Sequence, residues 1–218
     1  MTINLGATPH HVATTVQLLL ILTVLAASPA ILLMATAYLR IAVVLSFLQQ
    51  ALAVGTALPT LVLSGLSLLL TGVVMAPVIH LIYLHAYVPM EAGRIGIQVA
   101  LARAEGPLRA WMEAQVRPQD LLLFEHLRGL PAQIPSRVPF FALLPAFAIS
   151  ELTSAFEIAI LLYIPFVVID LSVQSILLSA GMLMLPPTLV STPIKVLLFL
   201  LAGGWPLLVT GIVGGFHP

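Results

Sequence analysis

The distribution of charge constrains this chain more than any other feature of its sequence. No charged residue precedes Arg40, none lies between Arg40 and Glu91, and none follows Lys195. Because a helix of about 20 apolar residues spans the hydrocarbon core of a bilayer, the uncharged stretches are long enough to cross a membrane. The sequence therefore belongs to the membrane-protein class.

Four hydrophobic units and one polar middle segment follow from this distribution. The units cover about 14–54, 59–86, 139–180 and 188–215. We expect an all-α, integral membrane-type fold whose long hydrophobic helices form kinked hairpins. The predicted division is an N-terminal hydrophobic hairpin at 1–86, a hydrophilic helical segment at 87–138 and a C-terminal hydrophobic hairpin at 139–218.

The polar middle segment holds eleven of the sixteen charged residues, with leucines and alanines recurring among them at helical spacing. Proline interrupts helices because it lacks an N–H donor and its ring crowds the preceding turn. We therefore predict that Gly106-Pro107 and Pro118 divide this segment into short amphipathic helices.

Composition excludes several functional classes. The eight basic and eight acidic residues cancel, so the chain offers no basic surface for nucleic acid. The absence of cysteine excludes disulfides, a thiol nucleophile and thiolate metal sites. There is no HExxH motif and no histidine pair at i, i+4 spacing, so neither an enzyme, a metal nor a cofactor is expected. No Lys or Arg precedes the apolar run that begins at Val16, so we expect no signal peptide in this chain.

The third hydrophobic unit contains three carboxylates, Glu151, Glu157 and Asp170. A charged side chain at the centre of a bilayer costs about 2.5–3.5 kcal/mol on insertion scales, so each carboxylate needs a partner or water. Arg40 and Lys195 are the only basic residues in the apolar units, and we predict that Lys195 pairs with Glu151. Neighbouring subunits are the other source of partners, and hydration near helix ends is the alternative.

The sequence GMLMLPP, from Gly181 to Pro187, separates the third and fourth hydrophobic units. Glycine and proline end helices, whereas methionine supplies a flexible, polarizable apolar side chain. We predict a helix break here. A methionine pair at such a boundary ordinarily serves membrane packing, and the residues alone assign it no further role.

Three runs in fixed order carry a resemblance to a known family. They are LLPAFAISELTSAF at 143–156, IPFVVID at 164–170 and GMLMLPP at 181–187. Together with SPAILLMATAYLRIAVVLSFLQQAL at 28–52, they make nearly the whole chain similar to the FliP/SctR family, which forms the inner core of bacterial type III protein export gates.

The resemblance implies a non-enzymatic, channel-forming subunit that needs no cofactor. Family members assemble as a ring, implied to be a pentamer, with FliQ-like and FliR-like proteins in the bacterial inner membrane, within the flagellar basal body. Unfolded export substrates pass through the central channel, and much of each subunit lies in a protein cone outside the bilayer. The resemblance assigns a channel gasket to Met182, Leu183 and Met184, and it implies protein partners for the charged residues Arg40, Glu151, Glu157, Asp170 and Lys195.

The chain also departs from the family pattern. Three successive methionines are common where Met182-Leu183-Met184 stands, Asp-Gly-Trp is common where Gly203-Gly204-Trp205 stands, and Gln is frequent at Glu157. The AYVP (86–89) and DLLLF (120–124) sequences favour a flagellar over a virulence-type (SctR-type) member. The alternative from a different class is a small polytopic proton or ion transporter, because intramembrane carboxylates are typical of such proteins.

Overall fold

The computed structural model describes residues 19, 22, 26, 29–55, 58–127, 138–182 and 184–216. Regular structure in these ranges is entirely helical, with no strand, so the all-α prediction is confirmed. The α-helices after the helical residues 29–34 are α1 (Tyr38–Ala51), α2 (Thr60–Ile82), α3 (Val88–Glu91), α4 (Ile97–Gln115), α5 (Pro118–Leu127), α6 (Phe140–Ser179), α7 (Thr188–Leu201) and α8 (Gly204–Gly214). A π-helical turn, Tyr83–Tyr87, joins α2 to α3 without a break.

Two helical stretches are long and apolar enough to cross a membrane. They are Thr60–Glu91, with 32 residues, and Phe140–Ser179, with 40 residues, each with a mean hydropathy of 2.2. A third span is available only if α7 and α8, which meet at a bend of 69°, are counted together. The described residues therefore contain two to three candidate spans. The first predicted unit contributes α1, which is apolar but shorter than a span, and part of that unit before residue 29 lies outside the described residues.

The core forms where α1 packs against the first half of α6. Ile41, Val44, Leu45 and Leu48 recur at helical spacing on α1 and are completely buried. Phe147 of α6 is equally buried and belongs to the same apolar cluster. This spacing of three and four residues places one apolar stripe of α1 on its neighbour. The N-terminal and C-terminal parts of the chain are therefore held together by a shared core.

The prediction that Gly106-Pro107 ends a helix is wrong, because α4 continues through Pro107 to Gln115. One missing backbone hydrogen bond is tolerated where the rest of a helix packs well, and Trp111 and Met112 of α4 are buried in the core. The break at Pro118 is confirmed, since α5 begins there.

Two glycines allow the sharp bend between α7 and α8. Gly203 has φ of 64°, a left-handed conformation that glycine adopts without steric cost. A Cβ atom at Gly204 would overlap the aromatic ring of Phe199. The GGW sequence therefore turns the chain and lets α8 approach α7 closely.

Candidate functional site

Arg40 and Glu151 form a buried, two-pronged ion pair between α1 and α6. Arg40 Nε donates to Glu151 Oε2 at 2.9 Å, and Nη2 donates to Oε1 at 2.5 Å. Their side chains are 5% and 0% exposed, respectively. Parallel hydrogen bonds of this kind fix orientation as well as distance. The pair thus sets how α1 lies on α6.

Arg40 also holds the C-terminal end of α8. Its Nη1 donates to the carbonyl oxygen of Gly215 at 2.8 Å, and the centre of its guanidinium lies 4.0 Å from the centroid of the Phe216 ring. Phe216 in turn packs against Trp111 of α4, with 5.5 Å between ring centroids. One arginine of α1 therefore contacts both α6 and the C-terminal end of α8, and Phe216 links that end to α4.

Lys195 of α7 is the second buried cation. Its Nζ donates to Asp170 Oδ2 on α6 at 2.5 Å and to the carbonyl oxygen of Ala51, the last residue of α1, at 3.0 Å. The lysine side chain is 3% exposed and that of Asp170 is 39% exposed. In the part of the chain that the structure describes, Asp170 Oδ1 and Ser191 Oγ are buried without a hydrogen-bond partner.

The predicted pairing of Lys195 with Glu151 is wrong. Glu151 belongs to Arg40, and Lys195 belongs to Asp170. Glu151 and Asp170 are 19 residues apart in α6, which is roughly 28 Å along the axis at 1.5 Å per residue. One lysine cannot serve both positions.

Arg117, which sequence reasoning missed, is the partner of Glu157. Its Nη1 and Nη2 donate to the two carboxylate oxygens of Glu157 at 2.9 and 2.6 Å, and Nη2 also donates to Ser154 Oγ at 3.2 Å. The hydrogen bond with Glu157 raises the pKa of the Arg117 guanidinium. The Glu157 side chain is 60% exposed, so this member of the predicted buried group lies at the surface.

A second contact attaches the polar middle segment to α6. The backbone N–H of Arg117 donates to Ser150 Oγ at 3.0 Å, and the Ser150 hydroxyl donates to Asp120 Oδ2 at 2.6 Å. Arg117 lies in the polar middle segment, outside the apolar units, so the cost of charge in an apolar unit does not single it out as a partner. The Arg117-Pro118 helix break that places it beside α6 was visible in the sequence.

The three carboxylates of the third hydrophobic unit do not depend on neighbouring subunits for a counter-charge. Each of Glu151, Glu157 and Asp170 has a basic partner in the same chain. A need for neighbouring subunits cannot be argued from unpaired charge.

The methionine loop lies between α6 and α7. Gly181 has φ of 73° and follows the last residues of α6, which matches the predicted helix break. Met182 is 48% exposed and Met184 is 97% exposed, whereas Leu183 lies outside the described residues. A single chain places these methionines at the tip of a hairpin, and their role as a gasket stays a prediction.

The ion pairs described above are suited to fixing the positions of the helices relative to one another. Within the described ranges, no group of three or more His, Asp or Glu side chains is placed to hold a metal ion. Arg40, Glu151, Asp170 and Lys195 form ion pairs between helices, and the apolar residues of α2 and α6 are widely exposed. Both features are typical of a subunit that packs against lipid or other proteins.

Comparison with known proteins gives one consistent result. Residues 21–212 match the FliP family. The chain is 46% identical over 203 residues to flagellar biosynthetic protein FliP of Pectobacterium carotovorum subsp. carotovorum, covering 93% of this chain and 79% of that protein. It is 41% identical over 210 residues to the Bacillus subtilis (strain 168) protein of the same name, covering 95% of both chains.

A third protein named flagellar biosynthetic protein FliP, from Treponema pallidum (strain Nichols), is 43% identical over 212 residues, which cover 96% of this chain and 78% of that protein. The matched region includes both buried ion pairs and the methionine loop. The chain belongs to the FliP family.

Proposed function

We propose that this chain is a channel-forming subunit of the flagellar type III protein export gate, which passes unfolded export substrates across the bacterial inner membrane. The observation that carries the proposal is the α6–α7 hairpin, whose tip exposes Met182 and Met184 while the Asp170–Lys195 ion pair fixes its stem. A hairpin with a rigid stem and a flexible apolar tip is suited to closing a passage. The family membership supports the same function.

Assembly into a ring is part of this proposal. The partners are further copies of the chain, five in all by family resemblance, together with FliQ-like and FliR-like proteins. Wide apolar exposure supports it, because Leu61 of α2 and Phe141 of α6 are 83% and 85% exposed. The finer organisation into four hydrophobic units and three segments, at 1–86, 87–138 and 139–218, belongs to the same proposal.

The flagellar role is favoured over the virulence-type role because the matched relatives are named flagellar biosynthetic proteins. The transporter alternative rested on intramembrane carboxylates free to carry protons or ions. No observation now favours it, since a cation of the same chain engages each of the three carboxylates.

Purification from native membranes tests the proposal. The full chain, with a terminal affinity tag, is extracted in mild detergent and its mass and co-purifying proteins are measured. A large complex that contains several copies of the chain and small polytopic membrane proteins is expected. Recovery of a stable monomer or dimer from motile cells would contradict the export-gate function.

A further inference from the structure

The stem of the α6–α7 hairpin contains two buried polar atoms that have no hydrogen-bond partner among the described residues. They are the hydroxyl oxygen of Ser191 on α7 and Oδ1 of Asp170 on α6. Ser191 is completely buried, so its hydroxyl is shielded from outside solvent. Because an unsatisfied buried polar group is destabilising, most such groups in folded proteins bind a protein atom or an ordered water. Both atoms therefore require a partner.

Lys195 brings these two atoms to the same place. Residues four apart in a helix lie on one face, and long side chains lean toward the N-terminal end, so Lys195 extends over Ser191. Its Nζ donates to Asp170 Oδ2 at 2.5 Å, and Oδ1 belongs to the same carboxylate. The Ser191 hydroxyl and Asp170 Oδ1 are therefore both placed beside the ammonium group of Lys195.

Lys195 also has capacity for a further hydrogen bond. An ammonium group carries three N–H donors. Within the described residues, two of them are used, toward Asp170 Oδ2 and the carbonyl oxygen of Ala51. Since the lysine side chain is 3% exposed, the third donor is also shielded from outside solvent. The stem thus brings together a donor of a cation, a hydroxyl group and a carboxylate oxygen.

The chemistry of these three groups determines what can bind between them. Lys195 can only donate a hydrogen bond, Asp170 Oδ1 can only accept one, and the Ser191 hydroxyl can do either. A bound molecule must therefore both accept and donate. The carboxylate would repel an anion, and the ammonium group would repel a cation. Water satisfies all three groups, and about three hydrogen bonds are typical of a buried water in a protein.

We infer that the stem binds one ordered water molecule, which accepts from Lys195 Nζ, donates to Asp170 Oδ1 and bonds the Ser191 hydroxyl. Ser191 and Asp170 make no hydrogen bond to each other, and water commonly bridges polar groups in this situation. The water adds a second polar link between α6 and α7 to the ion pair of Asp170 with Lys195. This site does not depend on what passes through the proposed channel.

Replacement of Ser191 by alanine tests the site through the sign of its effect. If the hydroxyl binds the water, Ser191→Ala removes one of the three bonds. The thermal unfolding midpoint of the purified full chain in detergent should then fall by roughly 2–4 °C, as expected for one hydrogen bond in a chain of this size. If the hydroxyl has no partner, or bonds only a carbonyl of its own helix, the same change is neutral or stabilising.

Ser175→Ala is the matched control. Ser175 is also a helical serine of this hairpin, but it is exposed, and its hydroxyl donates to the carbonyl oxygen of Leu171 at 2.9 Å. The gain in helix propensity from serine to alanine is similar at both positions, so the difference between the two midpoints isolates the buried contact. A lower midpoint for Ser191→Ala alone supports the bound water. Equal midpoints, or a higher midpoint for Ser191→Ala, overturn it.

A structure of the purified full chain, at a resolution that shows ordered waters, separates loss of a water from loss of packing at position 191. We expect density within hydrogen-bonding distance of Lys195 Nζ, Asp170 Oδ1 and Ser191 Oγ, and weaker or no density there in Ser191→Ala. A Ser191 hydroxyl bonded to the Pro187 carbonyl, with no density between the three atoms, overturns the inference whatever the unfolding midpoints are.

Discussion

Arg40 and Lys195 have the same type of surroundings. Each is a buried cation that pairs with one carboxylate of α6 and donates to a carbonyl at the end of another helix, Gly215 for Arg40 and Ala51 for Lys195. A buried ion pair contributes little net stability compared with apolar packing, but it disfavours every arrangement in which one partner is left alone. At the scale of single residues, these pairs therefore determine which helices meet.

The Arg40–Glu151 pair gives the sharpest residue-scale prediction. Glu151→Gln leaves a buried arginine without its counter-charge, a loss of about 3–5 kcal/mol for a pair of this kind. Thermal unfolding of the purified protein in detergent should show a markedly lower midpoint. The double variant Arg40→Met, Glu151→Leu removes both charges and should be milder than the single change. Equal losses in both variants would contradict the importance of uncompensated charge.

Glu157 provides the contrasting case. Its side chain is 60% exposed, so solvent screens its ion pair with Arg117 and the pair contributes little to stability. The exposed carboxylate is also accessible to neighbouring molecules. Glu157→Gln keeps hydrogen-bonding capacity toward Arg117, and we expect almost no change in unfolding midpoint or protein yield. A loss as large as that of Glu151→Gln would show that Glu157 is buried in the functional assembly.

At the scale of single residues, the sequence predicts that a carboxylate needs a cationic partner, but it does not predict which cation that is. The cost of charge in an apolar unit indicates that Glu151 and Asp170 require cations. Which cation reaches which carboxylate depends on the positions of α1, α6 and α7, and hydrophobic patterning does not determine these positions. Arg117 comes within reach of Glu157 only because the polar middle segment folds back onto α6.

Among the helices, the bend between α7 and α8 depends on the conformation of Gly203. An L-residue other than Asn or Asp in this left-handed conformation costs about 1–2 kcal/mol. Gly203→Ala should therefore lower the unfolding midpoint, whereas Gly203→Asn should be better tolerated. The measurement is thermal unfolding of both variants beside the unchanged protein. An asparagine variant as unstable as the alanine variant would indicate that space, rather than backbone conformation, limits this position.

The stem of the α6–α7 hairpin gives a second prediction about elements. Lys195→Met removes both the ion pair with Asp170 and the hydrogen bond to Ala51. The position of α7 relative to α6 should then no longer be fixed, and the yield of assembled complex should fall. Adding Asp170→Leu removes the unpaired carboxylate and should recover part of the yield. If the double variant assembles no better than the single variant, unpaired charge is not the cause of the defect.

Element boundaries were predictable where glycine and proline act on an exposed backbone. The break at Gly181 and the start of α5 at Pro118 match the structure. Pro107, Pro145 and Pro165 lie within continuous helices. Around Pro107 and Pro145, the packing of buried neighbours outweighs the local cost of proline. Local sequence signals do not contain that packing information.

The whole molecule has two distinct kinds of surface. A compact core joins α1 to α6, whereas α2 and the second half of α6 expose large apolar side chains, including Leu69 at 72% and Leu161 at 71%. Apolar area of this extent requires lipid or protein around it. The hydrophobicity of the sequence predicts an apolar surface. It does not predict which parts of that surface contact lipid and which contact other proteins, because this depends on the neighbouring molecules.

The methionine loop tests the function of the assembled molecule. If several copies meet at a channel axis, Met182 and Met184 would fill an irregular opening with long, unbranched side chains that alanine cannot replace. An apolar constriction also blocks ions by excluding water, so shorter side chains should admit water and small solutes. The double variant Met182→Ala, Met184→Ala should therefore increase small-solute permeability of cells that express the complete gate, while the yield of complex stays normal.

A control variant separates loss of the seal from loss of subunit stability as the cause of increased permeability. Met75 is also a methionine of this chain, but it is 4% exposed and belongs to the core, so Met75→Ala should reduce stability without leakage. Met184 is 97% exposed in the single chain, so its loss removes almost no packing within the subunit. Leakage specific to the loop variant would assign the seal to contacts between copies. Normal permeability with normal complex yield would return both loop methionines to an ordinary packing role.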